Sequence, residues 1–118
     1  MHTRFLGKSG LDVSVLSFGT MTFGGEGRFG AMGSIQVEEA RRLIEICVEA
    51  GLNLFDTADA YSAGKAEEVL GAALGPRRKQ VLIATKVFAR MGMGRHDAGL
   101  SRQHILEGCE ASLRRLRT

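Results

Sequence analysis

The sequence has no apolar run long enough to cross a membrane, and its opening, MHTRFLGKSG, has no apolar stretch of the kind a secretory leader carries. Cysteine is scarce. Cys47 and Cys109 both fall on the apolar faces of expected helices, which fits small core residues in a reducing compartment and argues against a disulfide or metal pair. Charge of one sign is also lacking, since the formal net charge is +3. The basic runs Arg77-Arg78-Lys79 and Arg114-Arg115-Leu116-Arg117 are not interleaved with stacking aromatics. They fit helix ends and exposed faces, and a nucleic-acid partner is not expected. Two phosphate-binding signatures are missing as well. The stretch from Gly24 to Gly33 holds five glycines but no GK[ST] ending, which argues against a P-loop and suggests a mobile loop beside a site. GTMTFGG, after the first expected strand, is not the GxGxxG of a dinucleotide-binding sheet. With 44% hydrophobic and 25% charged residues, what remains is a soluble globular chain of 118 residues, with the cytoplasm as the default compartment.

What is present centres on Leu52 to Tyr61, LNLFDTADAY. An apolar run suited to a buried strand turns polar at Asp56 and reaches a phenol at Tyr61. A second apolar run, Val81 to Thr85, ends in Lys86. If the two are parallel neighbours, a carboxylate, a phenol and an amine emerge at one end of the sheet, where α/β folds carry chemistry. Each residue alone has a plainer reading as turn cap, half-buried aromatic or solvated strand end. Their coincidence at matching strand ends favours a site.

The rest of the chain follows in order. Residues 1–14 read as a hairpin around Gly7-Lys8-Ser9-Gly10, and Val15 to Phe18 as a first core strand stopped by Gly19-Thr20. A helix is expected over about Val37 to Ala50, capped by Ser34 and ended by Gly51. A shorter helix spans about Ala66 to Leu74, with Gly75-Pro76 as its stop. After a loop from Val87 to Leu100, Ser101 caps a last helix with Ile105, Cys109, Leu113 and Leu116 inward. The units are therefore 15–50, 51–75 and 80–118. Strand and helix alternate throughout, which means parallel strands in either a doubly wound sheet or a (β/α)8 barrel; the missing glycine signature favours the barrel.

The stretches SGLDVSVLSFGTMTFG, AGLNLFDTADAYSAGKAEEVLGAAL, VLIATKV and LSRQHILEGCEASLRRL resemble the N-terminal part of an aldo-keto reductase, over essentially the whole chain. The resemblance implies a (β/α)8 TIM barrel, here its opening β-hairpin and about three βα units, with the hairpin closing the bottom. It implies reduction of an aldehyde or ketone by a nicotinamide cofactor, usually NADPH. The family uses a tetrad of Asp, Tyr, Lys and His. Tyr61 takes the place of the general acid, Lys86 of the ammonium that favours phenolate, and Asp56 of the carboxylate that holds it. A phenol's ordinary pKa of about 10 suits proton donation near neutrality poorly unless a cation stands beside it. By the same resemblance Gly19, Thr20, Met21 and Asp56 lie on the cofactor side. No metal is implied.

The family's histidine follows its fourth strand, and none of His2, His96 and His104 occupies the matching position; His104 reads as an exposed helix residue. A barrel of this type needs roughly 250 residues. The expectation for these 118 residues alone is a chain without turnover that is poorly folded, self-associates or needs a complementing barrel segment. The contrasting reading is a non-catalytic, cofactor-sensing regulatory subunit of the same fold. The partner expected at the site is a small-molecule carbonyl compound, not a nucleic acid or a membrane. Phe23, Phe29, Phe88, Met91 and Met93 could line its apolar mouth or be ordinary loop packing.

Overall fold

A computed structural model of the chain describes residues 1–118. Two short strands, β1 (Thr3–Phe5) and β2 (Asp12–Ser14), pair antiparallel as the opening hairpin. Three further strands, β3 (Phe18–Gly19), β4 (Leu54–Asp56) and β5 (Leu82–Ala84), form a parallel sheet in chain order. Each is followed by a helix: α1 (Val37–Glu49), α2 (Lys65–Leu74) and α3 (Arg102–Leu116). The alternation of strand and helix is borne out as a parallel sheet, and the arrangement is the partial (β/α)8 architecture that the resemblance implied.

The sheet register explains both faces of the layer. Phe18, Phe55 and Ile83 share one row across the three strands, and Gly19, Asp56 and Ala84 share the next. Neighbouring residues on a strand point to opposite sides, so the first row meets the helices and the second faces away from them. Phe55 is fully buried, and its ring and that of Phe23 each lie 5.9 Å from Phe18. With Ile44 of α1, Val69, Leu70 and Leu74 of α2 and Leu116 of α3, these residues make one core between sheet and helices. The hairpin docks at the opposite end from the site. Ser14 N–H donates to the Asn53 side chain at 2.8 Å, and Asn53 Nδ2 donates to the Asp12 carbonyl at 2.9 Å, just ahead of β4.

Several expectations are corrected. The first strand covers only Phe18–Gly19, and Val15 and Leu16 are 48% and 62% exposed, since no neighbouring element covers them. Ser34 is not the cap of α1. Ile35 bridges to Phe23 and is held extended by bonds to Thr22 and Gly24, so the helix starts after Gln36, whose amide instead donates to the Gly24 carbonyl at 2.8 Å. Ser101 does cap α3, accepting from the His104 N–H at 3.1 Å, a bond worth about 1 kcal/mol.

The inward face of α3 is also turned from the one expected. Ile105 and Leu113 are 43% and 44% exposed and Cys109 is exposed, whereas His104, Ser112 and Leu116 are buried. His104 is therefore a core-facing residue, not an exposed one. The helix lays its small and polar side onto α2, where the Leu116 backbone comes so close to Gly71 that a Cβ there would meet it at 2.7 Å.

A folded monomer of 12.7 kDa exposes roughly 6,200 Å²; this chain exposes 7335 Å². The excess is consistent with the bare apolar side chains at Val15, Leu16, Ile105, Leu106 and Leu113. No helix is long and apolar enough to cross a membrane.

Candidate active site

The site is built at the C-terminal ends of β4 and β5. Asp56, the last residue of β4, faces away from the helices; Thr57, one residue on, is buried beneath them. Strand pairing continues past β5, with Thr57 N–H donating to the Ala84 carbonyl at 2.8 Å and Asp59 N–H to the Lys86 carbonyl at 3.2 Å. The same alternation then sends Thr85 toward the helices and Lys86 to the side of Asp56.

Lys86 Nζ gathers three oxygens. It donates to Asp56 Oδ2 at 2.6 Å, to the Thr57 carbonyl at 2.8 Å and to the Tyr61 hydroxyl at 3.4 Å. It also lies 5.1 Å from the centre of the Tyr61 ring, within cation–π reach. Partial burial works to lower the lysine's pKa, but the bonds to Asp56 and Tyr61 and their charges outweigh it, and the ammonium is held above its ordinary 10.5. The three expected catalytic residues are thus brought together around one ammonium. No histidine hydrogen-bonds to the Tyr61 hydroxyl.

Tyr61 is positioned from two further sides. It opens a 3-10 turn, Tyr61–Gly64, in which Ser62 and Ala63 take left-handed backbone at φ 50 and 54. Fully buried Ser62 donates to the Phe23 carbonyl at 2.7 Å and accepts from Gly25 N–H at 3.1 Å. Gly24 packs so tightly here that a Cβ would stand 2.8 Å from Ser62 Cβ. The glycine-rich stretch is therefore a fitted cover, folded as a 3-10 turn over Gly27–Met32. From it Phe29 meets the Tyr61 ring edge-on, with centroids 5.5 Å apart.

Of the expected cofactor-side residues, Gly19 is exposed at the end of β3, with nothing within 4 Å of where a Cβ would stand. Met21 is 37% exposed. Thr20 is fully buried, its N–H donating to the Asp56 carbonyl at 2.9 Å. Gly19 and Asp56 are register partners at the ends of β3 and β4, and no side chain covers Gly19 on this side of the sheet. Among the apolar candidates for a mouth, Phe23 is core, and Phe88 and Met93 are 67% and 98% exposed. Phe29 stands against Tyr61, and Met91 lines a cavity of about 250 Å³ with Arg28, Ala60, Ala63 and Arg90.

The sequence pattern did not show a polar cluster behind the sheet. Glu67 lies on the buried face of α2, its Oε1 accepting from Thr85 Oγ1 at 2.5 Å and its Oε2 from Arg115 Nε at 2.6 Å. Asp59, 2% exposed, lies close by with His104, and one oxygen of its carboxyl has no partner. Burial pushes the Asp59 pKa up, a backbone bond at Ala60 opposes this, Glu67 adds to it, and Arg115 and His104 partly offset it. One signal was available: Glu67 falls in phase with Leu70, Gly71 and Leu74, where an acid is out of place.

The Aldo/keto reductase family is matched over residues 15–118. The chain is 47% identical to a protein of Arabidopsis thaliana described as a probable voltage-gated potassium channel subunit beta, over 98% of this chain and 34% of that protein. A protein of Oryza sativa subsp. japonica with the same description is 46% identical, with the same coverage. Among solved structures, the holo form of an aldo-keto reductase from Bacillus halodurans superposes with a TM-score of 0.79 at 38% identity, covering 100% of this chain and 37% of that one. The chain spans about a third of the length of these relatives.

Proposed function

The chain belongs to the aldo/keto reductase family, and on that premise we propose that it supplies the proton-donating half of an NADPH-dependent reductase of aldehydes or ketones. The observation that carries this reading is the Lys86 ammonium shared between Asp56 and Tyr61. Tyr61 donates its hydroxyl proton to the carbonyl oxygen of the substrate. The adjacent ammonium stabilises the phenolate left behind, and Asp56 keeps that ammonium charged and in place. Gly19, Met21 and Asp56 would hold NADPH, which would supply the hydride. Phe29 closes over the Tyr61 ring and limits access of water. The cytoplasm is the proposed compartment.

A complete site of this kind requires the uncovered apolar surface of the sheet and of α3 to be capped. The proposed cap is a complementing barrel segment, with self-association of the chain as the competing outcome. NADPH binding tests the cofactor assignment, read by the cofactor's own fluorescence with the chain alone and with the barrel segment of a relative that begins where the match ends. Saturable enhancement that disappears in Gly19→Val supports the reading, because the substitution places a side chain where Gly19 leaves free space beside Asp56. No enhancement under either condition overturns it.

A second reading is favoured by one observation, the channel-subunit description of the two plant relatives. In it the same site binds cofactor in a regulatory subunit, and turnover is incidental. Turnover of simple aldehydes by the complemented chain favours the first reading, and NADPH binding without turnover favours the second.

A further inference from the structure

The end of β5 is held from behind by a charge that the apolar core does not need. Glu67 is fully buried, between Ala66 and Val69 on the face of α2 that meets the core. A carboxylate taken out of water costs several kcal/mol unless it is paired, and an apolar residue of similar size is often at least as stabilising. What this carboxylate does is grip two elements. One oxygen accepts from Thr85 at 2.5 Å, and the other accepts from Arg115 of α3 at 2.6 Å. Arg115 is braced in turn by its bond to Ser112 Oγ at 3.2 Å.

Thr85 immediately precedes Lys86. Adjacent residues in extended chain project to opposite sides, so a Thr85 hydroxyl fixed behind the sheet determines that Lys86 stands in front of it. The register agrees: Thr85 follows the helix-facing row of Ile83, and Lys86 follows the open row of Asp56 and Ala84. Strand β5 itself ends at Ala84, so beyond it the Lys86 main chain is tied to its neighbour only through Asp59 N–H, at 3.2 Å.

We propose that Glu67 is a positioning residue for Lys86, acting through the Thr85 hydroxyl and itself held by Arg115. The chain Arg115–Glu67–Thr85 thus couples α3 and α2 to the strand end that presents the ammonium. The assignment rests on the reading of Lys86 as part of the proton-donating site.

The test reads the Lys86 ammonium directly, by the proton-exchange rate of its side-chain NMR signal in the 118-residue chain joined with a relative's complementing barrel segment, which covers the surface expected to drive association. It therefore gives its answer whether or not any carbonyl is turned over. In the parent chain the three hydrogen bonds of Lys86 make exchange slow. Thr85→Val keeps the side chain's shape and the Glu67–Arg115 pair, and it is expected to speed Lys86 exchange several-fold. Thr85→Ser, which restores the hydroxyl, returns the slow rate. Lys65, bonded to Glu68 on the surface of α2, keeps its own rate in all three proteins. If Thr85→Val does not fold, Thr85→Ala reads the same quantity. Unchanged Lys86 exchange in the hydroxyl-free variant overturns the proposal, as does equal acceleration at Lys65 and Lys86. Dependence on the hydroxyl without any NADPH turnover upholds the positioning and sinks only the catalytic reading.

Discussion

The Lys86 ammonium stands 2.6 Å from the Asp56 carboxylate although thirty positions separate them in the chain. Parallel pairing of β4 with β5 puts both on the open side of the sheet, one at a strand end and the other two residues beyond. With side chains 51% and 36% exposed, a pair of this kind adds only about 0–1 kcal/mol to stability. Its consequence is chemical. The same ammonium reaches Tyr61, so the phenol and the carboxylate share one counter-charge.

The pH dependence of stability follows from Lys86. Its folded pKa is raised above the ordinary 10.5, so its contribution is complete below that value and is lost as pH rises through the folded one. The urea midpoint of the parent chain is expected to fall in this alkaline window by more than that of Lys86→Met. Parallel curves would contradict the ion-pair geometry.

Asp59 has the opposite chemistry and the same sign. Burial raises its pKa above 3.8, so the folded chain holds its proton more tightly, and stability is lost as pH rises from 3.8 through the folded value. Asp59→Asn removes that loss. The variant is expected to be more stable than the parent at neutral pH and to show a flatter thermal midpoint from mildly acidic to neutral solution. A variant that is less stable at neutral pH would show that the ionised carboxylate has a partner.

Phe29→Ala tests the cover over Tyr61. An edge-on aromatic pair is worth about 0.5–1.5 kcal/mol beyond its buried area. Its loss is expected to expose residues 27–32 to limited proteolysis and to shift the Tyr61 ring resonances. The core residues Phe18, Phe23 and Phe55 keep theirs. Unchanged cleavage in this stretch would mean that Ser62 and Gly24 hold the cover without Phe29.

The surplus surface predicts association. The chain alone is expected to sediment as assemblies, and Ile105→Gln with Leu113→Gln is expected to reduce them, since both side chains are already exposed. A monomeric parent chain with a sharp cooperative unfolding transition would contradict this.

The strand ends were legible because apolar runs that stop at Asp56 and Lys86 announce both their burial and their polarity. The face of α3 was not. Ile105, Cys109, Leu113 and Leu116 make a stripe at helical spacing, but of the four only Leu116 is buried, and it shares the buried side of the helix with His104 and Ser112. Glu67 and Arg115 meet across 48 positions, a tertiary pairing that local periodicity cannot show. Ser34 looked like a cap because it precedes the helical pattern, yet the bridge between Phe23 and Ile35 keeps the chain extended past it.

The most direct test of the proton-donating site is NADPH oxidation with a panel of simple aldehydes, by the chain joined with a relative's complementing barrel segment, comparing the parent with Tyr61→Phe and Lys86→Met. The account predicts turnover in the parent, its abolition in Tyr61→Phe and a large loss in Lys86→Met, with NADPH still bound by all three. Turnover that survives in Tyr61→Phe would contradict it, because the proton would then come from a group other than the phenol beside Lys86.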